Sequence, residues 1–206
     1  MRRPAVAWCA STLVDAGLRM TDGTLHLASA GARRFRGERP WRFIEAERTD
    51  VRFDDLWRRA RSAFDVTGEK TSDYLNWRYA DFTTRRHRIL YAIDAATSAL
   101  RGYVVYAERE GGTATIEDLF CDRTGDVVTP LLLELARLLR RRGLSALSCS
   151  YVGPDRFSRQ LRAAGFLRRP GTRALVVRVP PGAPAEMERA LLDGRRWSMI
   201  DGELDI

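Results

Sequence analysis

Lysine is nearly missing from this sequence: Lys70 is the only one among 206 residues. Arginine therefore carries almost all of the basic excess, 35 Lys+Arg against 27 Asp+Glu, a formal charge of +8. Such a balance ordinarily points to nucleic acid or an anionic surface, because clustered cations release counterions from phosphate. A bias confined to arginine is also what a GC-rich genome writes across all its proteins, so the charge alone does not nominate nucleic acid as a partner. Histidine and cysteine are scarce as well, at two and three. Cys9, Cys121 and Cys149 are odd in number and scattered, which excludes a disulfide framework as the source of stability. Neither His26 nor His87 lies near a second ligand type at metal spacing, so no metal site is expected. Long apolar runs and internal repeats are lacking too, which argues against a membrane span and a solenoid. The start Met1-Arg2-Arg3 could open a secretory signal, but Ser11, Thr12 and Asp15 soon interrupt the apolar stretch, so a cytoplasmic chain is expected.

What is present is the composition of a globular protein, 45% hydrophobic and 30% charged, with length for one α/β core and a small appendage. Trp8, Cys9, Thr12, Leu13 and Ala16 fall on one helical face within residues 5–19, closed by Gly17. Leu25-His26-Leu27 is a candidate strand. No independent core can be built there, so residues 1–50 are expected to be an arm on the main domain or the remnant of a preceding one, and residues 51–206 the domain itself. Leu56, Trp57, Ala60 and Phe64 are spaced for a buried helical face. Thr71 and Ser72 can cap a short helix holding Tyr74, Leu75, Trp77, Arg78 and Tyr79.

From His87 the period changes to that of strands. Segments 89–93, 102–106 and 113–120, joined by Asp94 to Ser98 and by Gly111-Gly112, predict an antiparallel meander. A helix then opens near Thr129 and Pro130, carries Leu132, Leu135, Ala136 and Leu139 inward, and stops at Gly143. Segment 144–150 reads as a strand. A second helix holds Phe157, Leu161 and Ala164 and ends at Gly165. Segments 174–179 and 197–200 read as strands, with a short helix around Met187 to Leu192 between them.

The order of three strands, helix, strand, helix, strand, together with the run Arg159-Gln160-Leu161-Arg162-Ala163-Ala164-Gly165-Phe166, resembles the core of the GNAT superfamily of acyl-CoA N-acyltransferases, whose late helix typically ends in Gly-Phe. The resemblance implies an α+β fold with a mixed, mainly antiparallel central sheet and helices on both faces. Asp73-Tyr74-Leu75-Asn76-Trp77-Arg78-Tyr79 and the stretch Trp197 to Asp205 are similar to a bacterial branch of GNAT-like proteins, some associated with polysaccharide assembly. Tyr74, Trp77 and Tyr79 also read simply as the aromatic core of a short helix.

In that superfamily acyl-CoA, here acetyl-CoA or another acyl-CoA as cosubstrate, lies where two parallel strands splay. The resemblance maps these strands to Ile116–Cys121 and Leu144–Ser150. Leu119, Phe120 and Cys121 would then line the pantetheine arm. Arg123, Thr124, Gly125, Val127, Val128 and Thr129 would cradle the diphosphate at a helix N-terminus. The turn departs from the family pattern, being shorter and holding one glycine, and Asp126 brings a negative charge to where phosphate would approach.

Amine attack on a thioester needs a proton acceptor and a donor for the leaving thiolate. Glu117 and Asp118 stand where the family base often sits, and strand alternation sends them to opposite faces, with Glu117 favoured. The family's usual tyrosine donor position holds Leu161, and Tyr151 or Cys149 are the substitutes at hand. The expected function is N-acyl transfer to a primary amine of a small molecule or amino sugar. The alternative is a non-catalytic GNAT-like module that binds a partner, in polysaccharide assembly for instance, and an arginine-rich nucleic-acid binder is the third reading. A homodimer is left open.

Overall fold

The computed structural model describes residues 41–81, 85–168 and 176–200, together with the backbone at 15–16, 18–19 and 169. In chain order the strands and helices are β1 (Asp15–Ala16), β2 (Leu18–Arg19), β3 (Trp41–Ala46), α1 (Val51–Ala60), β4 (Val66–Thr67) and α2 (Ser72–Asn76). They continue as β5 (His87–Asp94), β6 (Leu100–Arg109), β7 (Thr113–Cys121), α3 (Val128–Arg141), β8 (Ala146–Cys149) and β9 (Tyr151–Val152). The last are α4 (Asp155–Ala163), β10 (Arg168–Arg169), α5 (Ala185–Leu192) and β11 (Trp197–Ile200).

The main sheet runs β2-β8-β7-β6-β5-β3, with only the β7–β8 pair parallel. The fold is thus α+β with a mainly antiparallel sheet. Its central hairpins follow from local chemistry. Asp94 accepts from the amides of Ala96 and Thr97 to turn the chain between β5 and β6. Gly111 and Gly112, at φ +76° and +71°, close β6 onto β7.

Strand alternation then builds two cores. Leu90, Val104, Tyr106 and Ile116 face α3 and α4 through Leu131, Leu135, Phe157 and Leu161. Ile89, Tyr91, Tyr103 and Val105 face α1 and α2 through Phe53, Leu56, Ala60 and Leu75. Asp50 caps α1 by accepting from Arg52 N at 3.0 Å, and Thr71 caps α2 by accepting from Tyr74 N at 3.3 Å. Truncating a side chain as deep as Leu56 to Ala costs about 2–5 kcal/mol.

Several expectations need correction. The helix expected over 5–19 is not what the described backbone forms there, because 15–16 and 18–19 are strands paired with β10 and β8. The remainder of that helix, and the candidate strand 25–27, lie outside the described residues. Of the strand expected over 174–179, residues 176–179 have no regular structure, and Val176 is 65% exposed. Conversely β3, which falls inside the expected arm, pairs along its whole length with β5 as the sheet's edge. Among the described residues no helix is long and apolar enough to cross a membrane.

Candidate functional site

The parallel ladder between β7 and β8 runs from Thr113 opposite Ala146 to Ile116 opposite Cys149, and stops there. At the same point β7 carries an extra residue. Tyr106 of β6 faces Ile116 and Val105 faces Asp118, so Glu117 is a bulge. Beyond it, residues 118–121 stay paired to β6 but leave β8, and the chain after β8 pairs instead with β11, Tyr151 opposite Ile200. The two strands therefore part in a wedge. β11 also approaches β7 within 8 Å, Cα to Cα, without joining it in a ladder. An intervening extended arm needs about 4.8 Å on each side, so it requires β11 to shift aside.

The bulge also redirects the two carboxylates. Strand alternation would oppose them, yet their partners on β6, Arg109 and Tyr103, share one face of that strand. Arg109 Nη2 donates to Glu117 Oε1, and its Nε to Thr115 Oγ1 at 3.3 Å. Tyr103 donates to Asp118 Oδ2 at 3.4 Å. Lys70, from the segment after β4, stands 3.0 Å from both Asp118 oxygens with its side chain 2% exposed. Asp118 Oδ1 also accepts from the Leu119 amide at 2.7 Å. Two buried carboxylates are thus each met by a cation, which is what makes their burial tolerable.

Tyr79 closes this side. It lies on the π-helical turn Trp77–Asp81 that extends α2, and its hydroxyl donates to the Glu117 carbonyl at 3.4 Å. His87 packs edge-on against Tyr79 at 5.2 Å. Burial and the nearby Arg109 hold its pKa below the ordinary value, so it is neutral at pH 7. Spacing in the sequence does not single out Lys70, Tyr79, Tyr103 or Arg109 as site residues, though the solitary lysine and the doubled carboxylate Glu117-Asp118 are readable signals.

The expected cofactor residues divide. Leu119, Phe120 and Cys121 lie on the parted half of β7, but the Leu119 amide is already bonded to Asp118. The Phe120 ring packs among Trp57 and Phe64, and burial pushes the Cys121 thiol up to about 12. In the turn before α3, Asp126 is exposed and holds none of the turn's amides. Asp122 does so instead, accepting from Thr124 N at 3.2 Å, Thr124 Oγ1 at 2.7 Å and Gly125 N at 3.3 Å. An Asp two residues before Thr-Gly is a readable side-chain turn signal. Arg123 donates to Ser62 at 2.6 Å. The Gly125 carbonyl accepts from Val128 N and from Gln160 Nε2 at 2.7 Å. Val127 and Val128 are buried in the α3 core, and Thr129 Oγ1 donates to the Gln160 carbonyl at 3.4 Å.

Tyr151 and Glu117 are not grouped together. Tyr151 sits in the core on the α3 and α4 face, stacked on Phe157 at 5.0 Å, and donates to the Pro154 carbonyl at 3.4 Å. Burial raises its pKa far above the ordinary phenol range.

No protein-family model matches the chain, and no curated protein matches it.

Proposed function

We propose that this protein is an acyl-CoA-dependent N-acyltransferase that moves an acyl group, most simply acetyl, to a primary amine of a small molecule or amino sugar. The observation that carries the reading is the coincidence of the Glu117 bulge with the end of the β7–β8 ladder at Ile116 and Cys149. Parted parallel strands of this kind are what the GNAT fold, which the sequence resembles, uses to hold a pantetheine arm. In the reaction the amine nitrogen attacks the thioester carbonyl, the oxygen takes the charge, and collapse breaks the C–S bond. Glu117 accepts the amine's proton, and the released thiolate is protonated by solvent or a nearby donor.

Calorimetric titration with acetyl-CoA tests this. A saturable heat is expected, with a rise in melting temperature, since ligand at a hundredfold its Kd stabilises by about 2.7 kcal/mol. Neither heat nor shift at millimolar acetyl-CoA overturns it.

A second reading, a GNAT-like module that binds a partner without catalysis, is favoured by one specific observation. The Asp122 carboxylate already occupies the Thr124 and Gly125 amides, and Arg123 is committed to Ser62. On that reading Glu117→Gln leaves function in cells intact.

A further inference from the structure

The chain between β4 and β5 reaches the bulge twice, at consecutive residues. Lys70 meets the Asp118 carboxylate at 3.0 Å, and Tyr79 meets the Glu117 carbonyl at 3.4 Å. A bulge leaves its extra residue outside the ladder, so the direction of its side chain is set by whatever holds the backbone on either side. Here the two contacts add to the β6 ladder on either side and to the Arg109 bond on Glu117, and the Leu119 amide donates to Asp118 Oδ1 within the same cluster. Stability alone does not account for the arrangement, because a buried ion pair is often no more stabilising than apolar groups of the same volume.

We propose that Lys70 and Tyr79 are positioning residues that clamp the β7 bulge where β7 and β8 part, and so fix the direction of Glu117. The proposal rests on the acyl-transfer reading for its consequence in catalysis, but the clamp itself is a structural statement with its own measurement. The charged and titratable groups around the two carboxylates include Lys70, Arg109, Tyr103, Tyr79 and His87, with Arg85 beside His87. Lys70 and Arg109 are the cations that meet the carboxylates, Arg85 is a third cation beside His87, Tyr103 and Tyr79 contribute neutral hydroxyls, and His87 is uncharged at neutral pH. Removing Lys70 therefore subtracts one positive charge next to Asp118 and near Glu117.

The test uses the full chain, with Lys70→Met, Lys70→Arg and Tyr79→Phe. Hydrogen exchange at the Leu119 amide is expected to quicken at least about tenfold in Lys70→Met, as the bond to Asp118 loosens; an unchanged rate overturns the clamp. With acetyl-CoA and glucosamine as probes, Lys70→Met is expected to lose about a hundredfold in kcat, the scale of a misplaced reacting group, with the KM for acetyl-CoA within about threefold. Its acid limb should move to higher pH by about one unit, because losing a cation raises a carboxylate's pKa. Lys70→Arg should restore that limb. Should Lys70→Met fail to fold, Tyr79→Phe, which removes only a hydroxyl, is expected to lower kcat about tenfold, and a wild-type kcat there overturns the proposal. An unmoved pH profile in a folded Lys70→Met also overturns it. No turnover by the wild type counts against the acyl-transfer reading and not against the clamp, which the exchange rate decides.

Discussion

Arg142, at the C-terminal cap of α3, grips both oxygens of Glu45 on the edge strand β3, Nη1 to Oε1 at 2.9 Å and Nη2 to Oε2 at 2.7 Å, across 97 positions of sequence. Tyr106 donates to the same Oε1, and Arg88 lies 3.5 Å from it. Burial alone would raise the Glu45 pKa, but the bonds from Arg142 and Tyr106 outweigh it, and the carboxyl titrates below its ordinary value of 4.5.

Glu45→Ala is therefore expected to cost about 1–2 kcal/mol, since it leaves the buried Tyr106 phenol without its acceptor and removes one of the two carboxylates beside the exposed Arg142, which keeps Glu108 at 3.5 Å. A carboxyl depressed on folding stabilises fully above its unfolded pKa and loses that contribution as pH falls through the folded value. The stability gap between wild type and variant should be constant above about pH 5 and shrink below it. Chemical denaturation at a series of pH values measures this. A gap that widens on acidification contradicts the pairing.

Gly102 is expected to tolerate no side chain. A Cβ there would stand 2.8 Å from Val127 Cγ1 and 3.1 Å from the Phe120 carbonyl. The missing atom lets the N-terminus of α3 seat against β6, so Gly102→Ala pushes the turn 122–127 outward. Overpacking of this kind costs about 1–3 kcal/mol, and a melting temperature lower by about 2–4 °C per kcal/mol is the readout. Wild-type melting would mean that the turn moves freely, which would remove the case for a built seat there.

What the sequence made legible is what periodicity controls. The meander β5 to β7, the helices α1, α3 and α4, and the terminal strand β11 follow from alternation, caps and glycine stops. β3 escaped because Trp-Arg-Phe-Ile-Glu-Ala is a half-buried edge strand whose arginine and glutamate blur its period. The short β1 and β2 exist through their partners β10 and β8 rather than through any local pattern. The bulge was invisible for a related reason. Alternation assigns Glu117 and Asp118 to opposite faces, and only pairing with β6 reveals the extra residue that brings their partners to one face. Lys70 could not be paired with Asp118 from spacing, because 48 residues separate them.

Tyr151→Phe distinguishes packing from proton donation. Its hydroxyl is committed to the Pro154 carbonyl, its ring to Phe157, and the chain beside it is glycine because a Cβ on Gly153 would meet the hydroxyl at 2.0 Å. A phenol so enclosed keeps its proton. The variant is expected to lose at most about 1 kcal/mol of stability and to retain kcat within about threefold. A fall of a hundredfold, the lower end of general acid catalysis, would assign it the donor role.

Asp122 separates the two functional readings. Its carboxylate accepts, from within the chain, the hydrogen bonds that the Thr124 and Gly125 amides would otherwise donate to a phosphate. Asp122→Ala frees the Thr124 amide, leaves the Gly125 amide on the Asp122 carbonyl at 3.2 Å, and removes a like charge, which at about 4 Å is worth on the order of 1–4 kcal/mol of repulsion against a bound phosphate. If the turn is a diphosphate seat, the variant should bind CoA about tenfold more tightly despite a stability loss of about 1–2 kcal/mol from the lost turn bonds and the lost ion pair with Arg101 at 2.7 Å. The effect should fade when desphospho pantetheine replaces CoA, because only the phosphates meet the turn. Equal, weak binding of CoA by both proteins would leave Asp122 as the turn's permanent anion, and the partner-binding reading would then fit the chain better than catalysis.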